Sequence, residues 1–233
     1  MDPGLELKLP AFEPHAQLGR ISRKTVQDQV YQSLRRAIMQ GDVKPGENLT
    51  IPALAQAFGI SHMPVRQALN RLAAEQALTI LSGRSVGVPP LSRSRLVDLT
   101  RVRTEVEGLA AAWAAEQIAS DRISELAELV ADMWSYVEGE NAREFLTRNQ
   151  QFHFAVYKAA DSGTLLPIIE SLWLQIGPYL SLLHRSGNYS DANRHHESLL
   201  QALRDRDAVR AREAVTNDIR AAAAVLEELV PDA

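Results

Sequence analysis

From residue 25 the chain alternates in a way that only a helix uses. Apolar side chains recur every four positions at Val26, Val30, Leu34 and Ile38, the period of an amphipathic helix. Thr25 followed by Asp28 supplies a start signal, and Gly41 a stop. After the turn Lys44-Pro45-Gly46 the pattern predicts a short helix capped by Thr50, with Leu54, Ala55 and Phe58 inward. Gly59 closes it, where left-handed backbone is cheapest. Ser61 caps a third helix, with Pro64 in its first turn and Val65, Leu69 and Leu72 as the inward stripe. Residues 78–81 and 86–88 read as two short strands around Ser82-Gly83-Arg84-Ser85, and Pro89-Pro90 ends the run.

Beyond the prolines strand-like alternation vanishes. Six helical stretches are predicted, at about 92–118, 121–138, 141–160, 164–186, 190–204 and 207–229, with turn signals between them. No fixed period recurs, so this is a bundle and not a repeat array. The expected fold class is mainly α: a winged helix-turn-helix over residues 20–90, preceded by a flexible tail at 1–19 and followed by an all-α bundle over 91–233.

Composition narrows the picture. A chain of 233 residues that is 45% apolar and 23% charged can bury a sizeable core, which excludes general disorder. Its longest unbroken apolar run, residues 109–115, is far too short to span a bilayer, so no membrane partner is expected. With no cysteine, disulfides, thiolate zinc sites and cysteine nucleophiles are excluded. Asp2, Glu6, Glu13 and three prolines in residues 1–18 do not make a signal peptide, and a cytoplasmic protein is expected. The net charge of -4 is unevenly placed. Residues 1–90 carry 10 Lys/Arg against 7 Asp/Glu, whereas 91–233 carry 15 against 22. A basic module, with a polyanion as its natural partner, precedes an acidic one.

In the basic module, Ser61 opens the third helix, and His62, Met63, Arg66 and Asn70 fall on the face opposite its apolar stripe. A recognition helix enters the major groove with these N-terminal positions forward. Arg66 can donate to a guanine edge or a phosphate, and Arg84 at the hairpin tip can reach an adjacent groove. Solvated surface residues are the alternative. The run Val30-Tyr31-Gln32-Ser33-Leu34-Arg35-Arg36-Ala37-Ile38, then Gly41-Asp42-Val43-Lys44-Pro45-Gly46, Gly59-Ile60-Ser61 and Pro64-Val65-Arg66-Gln67-Ala68-Leu69 resembles the DNA-binding domain of the GntR family of bacterial transcription regulators. The resemblance implies that Arg66 and the residues after the cap contact operator DNA, with a wing glycine, Gly83 or Gly87, at the minor groove. His62 and Met63 stand where many members have arginine and threonine.

In the bundle, Leu146, Asn149, His153, Val156 and Ala160 share one stripe. His196 leads into Leu199, Leu200 and Leu203, and Asp218 lies between Ala211, Val215, Ala222 and Val225. Polar groups on apolar faces need partners. Asn149 and His153, one turn apart, have the spacing by which a helix offers two ligands to one metal, while satisfied core residues are the alternative. Arg103 lies on a stripe with Leu99, Val106 and Ala110, and a buried guanidinium needs an anion, either Glu107 or a ligand. Trp113, Trp134 and Trp173 read as core aromatics, and His184 and His195 as exposed.

Arg103 with Glu107, Phe152-His153, His196 with Leu199 and Leu200, Arg206-Asp207 and the Ala-rich last helix resemble the FCD domain of the FadR subfamily, in a six-helix, VanR-like variant. That resemblance implies a homodimeric regulator, a repressor, of double-stranded operator DNA. It implies a divalent metal ion on Asn149, His153, His196 and Asp218; the two imidazoles favour zinc, nickel or manganese, and the buried Arg103 leads to the expectation of a small carboxylate metabolite that meets both the metal and Arg103. Asp218 replaces the family's last histidine, and Asn149 stands where many members have aspartate. Two histidines and a carboxylate also describe a metal-dependent oxygenase or hydrolase, the rival function.

Overall fold

A computed structural model describes residues 25–82, 85–186 and 189–230, with backbone only for 184–186. The 1–19 tail, Gly83, Arg84 and the His184 side chain lie outside the described residues.

The first helix, α1 (Val26–Met39), opens with the capping box expected of Thr25 and Asp28 and buries Val30, Tyr31, Leu34 and Ile38. Strand β1 (Asn48–Thr50) leads into α2 (Ile51–Phe58) and α3 (His62–Ala74), and β2 (Thr79–Ser82) and β3 (Ser85–Gly87) follow. The sheet runs β1-β3-β2, antiparallel throughout. The pattern had not predicted β1, because three residues with only Leu49 buried carry no readable alternation. Gly59 closes α2 in left-handed backbone, φ 65°, as expected. Phe58 departs from expectation: it is 36% exposed, since the inward face of α2 is filled by Ile51 and Ala55. Ser61 holds the N-cap position of α3 without making a capping hydrogen bond.

The bundle consists of α4 (Arg93–Gln117), α5 (Ser120–Glu138), α6 (Ala142–Ala159), α7 (Leu165–Leu180), α8 (Tyr189–Arg204) and α9 (Ala208–Leu229), with a 3-10 turn, Ser181–Ser186, after α7. Helix α4 touches α6, α7, α8 and α9, which explains its length and its alanines. Ala110, Ala111, Ala114 and Ala115 are fully buried and let neighbouring backbones approach closely. Trp113, predicted as core, is 38% exposed, because it falls outside the buried face that Ala110, Ala111, Ala114 and Ala115 form. Pro178 removes a backbone donor near the end of α7, and the chain tightens into the 3-10 turn there.

Helix α7 also joins the two domains. At Gly177 a Cβ would lie 2.8 Å from the Ile38 carbonyl oxygen and 2.8 Å from Met39 Cα, so only glycine lets α7 abut the end of α1. Arg35 pairs with Glu170 at 2.8 Å, the Tyr179 hydroxyl donates to the Pro89 carbonyl, and Arg95 Nη2 donates to the Gln76 carbonyl at 3.0 Å. The segment Leu165–Leu183 is long and apolar enough to cross a membrane, but Ile169, Trp173, Leu174 and Ile176 are buried among the other helices. It is the core helix of the bundle.

Candidate DNA-reading face and metal centre

Helix α3 packs on α1 through Val65, Ala68, Leu69 and Leu72, all buried. That docking turns Ser61, His62, Met63, Arg66 and Asn70 outward, and all five are exposed. Met63 is 59% exposed, a large apolar side chain held in water. Behind the helix, Arg71 stacks over the Tyr31 ring at 3.7 Å and bonds Glu75, which also accepts from the Tyr31 hydroxyl. Burial and this carboxylate raise the Tyr31 pKa to about 12, so the hydroxyl stays a donor.

Gly87 does not belong to this face, contrary to the sequence expectation. It is buried in β3, paired with Asn48 on one side and Thr79 on the other. A Cβ there would lie 3.0 Å from Leu81 Cδ1 and 3.2 Å from the Glu47 carbonyl oxygen. The residue is glycine because strands crowd it at the base of the wing, which leaves it no access to a groove.

In the bundle, α6 supplies His153, α8 His196 and α9 Asp218. Their ligand atoms all lie within 4.8 Å of one another. His153 Nε2 is 3.1 Å from His196 Nε2 and 3.3 Å from Asp218 Oδ2. Both histidines are buried, at 2% and 1% exposure. Asn149, also buried, lines the same cavity of about 40 Å³, together with Arg103, Phe145 and Trp173.

The other nitrogens of the two imidazoles decide what the site can hold. The Tyr157 hydroxyl gives its one proton to Glu107 Oε2 at 2.6 Å. Towards His153 Nδ1, 3.1 Å away, it can therefore only accept, so Nδ1 carries the ring proton and Nε2 offers a lone pair. Asn193 Nδ2 donates to the Val130 carbonyl at 3.1 Å, which turns Oδ1 toward His196 Nδ1 at 3.2 Å. The same logic leaves a lone pair on His196 Nε2. Two lone pairs and a carboxylate thus converge with no donor among them, a set that calls for a cation and fits a divalent metal bound by N and O ligands. Burial lowers the His196 pKa to about 3, outweighing the Asp218 charge, so a proton does not readily take the cation's place on this ring.

Arg103 is buried as expected, and its anion is already present. Its Nε donates to Glu107 Oε1 at 2.6 Å and its Nη2 approaches Oε2 at 3.5 Å. Burial alone would lower the Arg103 pKa, yet the Glu107 charge and hydrogen bond raise it. Glu107, wholly buried, also accepts from Trp173 Nε1 at 2.9 Å. Of the two anions that the sequence left open for Arg103, Glu107 is the one in place, and Arg103 still lines the cavity. Asn193 and Tyr157 were not picked out from the sequence. Their signal was spacing, since Asn193 precedes His196 by one turn and Tyr157 follows His153 by one turn.

Comparison with known proteins gives this geometry its context. Residues 98–221 match the FCD domain, and residues 26–88 match the DNA-binding domain of the bacterial regulatory proteins, gntR family. The HTH-type transcriptional regulator McbR of Escherichia coli (strain K12) is 31% identical over 192 residues, covering 81% of this chain and 87% of that protein. A probable D-xylose utilization operon transcriptional repressor of Paenarthrobacter nicotinovorans is 28% identical, covering 87% and 89%. The solved structure of E. coli McbR/YncC superposes with a TM-score of 0.82 at 29% identity, covering 89% of this chain and 99% of that one. A regulator structure from Rhodococcus sp. RHA1, 21% identical with a TM-score of 0.72 over 87% of this chain and 97% of that one, shares the fold. These relatives are regulators, which sets the oxygenase or hydrolase reading aside. With a DNA-reading domain and an FCD bundle both matched, the chain belongs to the GntR family of bacterial transcription regulators and is not an enzyme.

Proposed function

We propose that the chain is a metabolite-responsive repressor that reads a palindromic operator as a homodimer. Its bundle holds one divalent ion, zinc, nickel or manganese, on His153, His196 and Asp218 with Asn149 beside them, and the effector is a small carboxylate. The observation that carries this reading is the convergence of two imidazole lone pairs and a carboxylate with both Nδ1 atoms held from outside. When bound, the ion supplies positive charge and open coordination positions for an anion.

The chain's own charges set what that anion can be. Arg103 and Glu107 cancel, and Asp218 offsets one of the ion's two charges, which leaves a single charge for a monocarboxylate group. The cavity of about 40 Å³ is the room of about three waters, so the part of the effector that enters is small. Repression is supported by the Paenarthrobacter relative and by GlaR of E. coli, both named as transcriptional repressors. A two-fold dimer is what a palindromic site reads.

Metal analysis of protein prepared without chelator should find about one ion per chain. His153→Ala and His196→Ala should each empty the site, whereas Arg66→Ala should keep the ion and abolish operator retention in a gel shift, through two lost contacts of about 1–3 kcal/mol each. Protein that neither carries nor takes up a divalent ion would sink the metal reading. Light scattering that finds a monomer at DNA-binding concentrations would sink the dimer.

A further inference from the structure

A cleft of about 910 Å³ opens between the two domains, over twenty times the size of the metal-site cavity. Helix α1 forms one wall and α5, α6 and α7 the other. Four cations line it, Arg35 and Arg36 from the reading domain and Arg122 and Lys158 from the bundle, against one carboxylate, Glu170. Glu170 is taken by Arg35 at 2.8 Å, and Arg122 is paired with Glu125 at 2.7 Å. Arg36 and Lys158 have no side-chain hydrogen bond or ion pair among the described residues. The lining thus keeps two positive charges without a partner carboxylate, in a chain whose net charge is -4. Four glutamine amides add further donors, and Met39 and Phe154 give an apolar floor. Isolated surface cations are ordinarily just hydrated. These come from two domains and face one enclosure of the volume typical for small-ligand sites.

We propose that this cleft binds a small organic phosphate whose charged oxygens meet Arg36 and Lys158 and whose apolar body lies on Met39 and Phe154. Several cations and amide donors around one space match a group with several anionic oxygens better than a single carboxylate, and arginine forks suit phosphate. The ligand would touch both domains at once, so it would favour the arrangement that holds α1 against the bundle. Phe154 also packs edge-on against Trp173 at 5.2 Å between centroids, and Trp173 lines the metal-site cavity. The two sites share that wall, yet the cleft needs neither the metal nor the carboxylate effector.

Calorimetric titration of the full chain at fixed ionic strength, with adenosine diphosphate, inorganic pyrophosphate and adenosine as probes, tests this. Adenosine diphosphate should bind saturably and more tightly than either of the other two. Arg36→Glu with Lys158→Glu, both exposed positions, should weaken it about tenfold or more with an unchanged melting temperature. Arg101→Glu with Arg204→Glu, the same charge change elsewhere, should not, and His153→Ala should keep phosphate binding after losing metal. Absence of saturable binding, equal loss in the control pair, or loss with His153→Ala would overturn the proposal. So would a cleft variant that binds no less phosphate but loses operator affinity with a shallower salt dependence, because the cleft would then be a DNA-backbone contact.

Discussion

The Glu107 carboxylate accepts hydrogen bonds from side chains on three helices: Arg103 of its own α4, Tyr157 of α6 and Trp173 of α7. It neutralises a buried cation and, through Tyr157, sets the tautomer of His153. These two tasks separate under mutation. Glu107→Gln should cost about 3–5 kcal/mol by urea unfolding, because it strands the Arg103 charge in the core. Arg103→Met with Glu107→Leu should recover most of that loss, since a buried pair can be replaced by apolar groups. Metal affinity should be about 10–100-fold down in the double variant, because leucine offers no acceptor and Tyr157 is then free to turn its proton on His153. Full recovery of metal binding in the double variant would show that Glu107 acts only as a counter-charge. At this scale the sequence exposed His153, His196, Asn149 and Asp218, because each interrupts an apolar stripe. Glu107 stood only as one of two partners for Arg103, since a carboxylate one turn from an arginine looks like any surface ion pair until its burial is known.

Among the elements, α7 does the least expected work. Its apolar run reads as a core helix, and Trp173 and Ile169 make it one. Nothing in its pattern says that Gly177 receives the end of α1. Adding one methyl there sets it against the Ile38 carbonyl and the Met39 backbone, which have no flexible end to yield. Gly177→Ala should therefore loosen the docking of the reading domain at a cost of about 1–3 kcal/mol. Faster proteolysis between β3 and α4, with metal content unchanged, would register this, and a wild-type digestion pattern would refute it. Long periodic helices were legible because their stripes run for several turns. Strand β1 was not, being too short for alternation, and the end of α7 moved because Pro178 changes the helix type without stopping it.

On the scale of the whole molecule, the division into a basic reader and an acidic bundle was written in the charge distribution. The relative placement of the two was not, because it depends on single contacts such as Arg35–Glu170 and Tyr179 with Pro89, which join residues far apart in the chain. Those contacts, with Gly177, mount the reading domain directly on the bundle. For a two-fold dimer such a mounting works as a ruler. B-DNA turns about 34° with each base pair, given 10–10.5 pairs per turn. An operator lengthened or shortened by one pair between its half-sites presents the second half-site rotated as well as displaced. A reader on a loose tether would follow that rotation at little cost, whereas one clamped at α7 must strain its mounting or let go. Binding should fall steeply for spacers changed by one to five base pairs and return in part at a full turn. In Gly177→Ala the same series should flatten, so the phasing of the operator becomes a direct gauge of how firmly one glycine holds the two halves together.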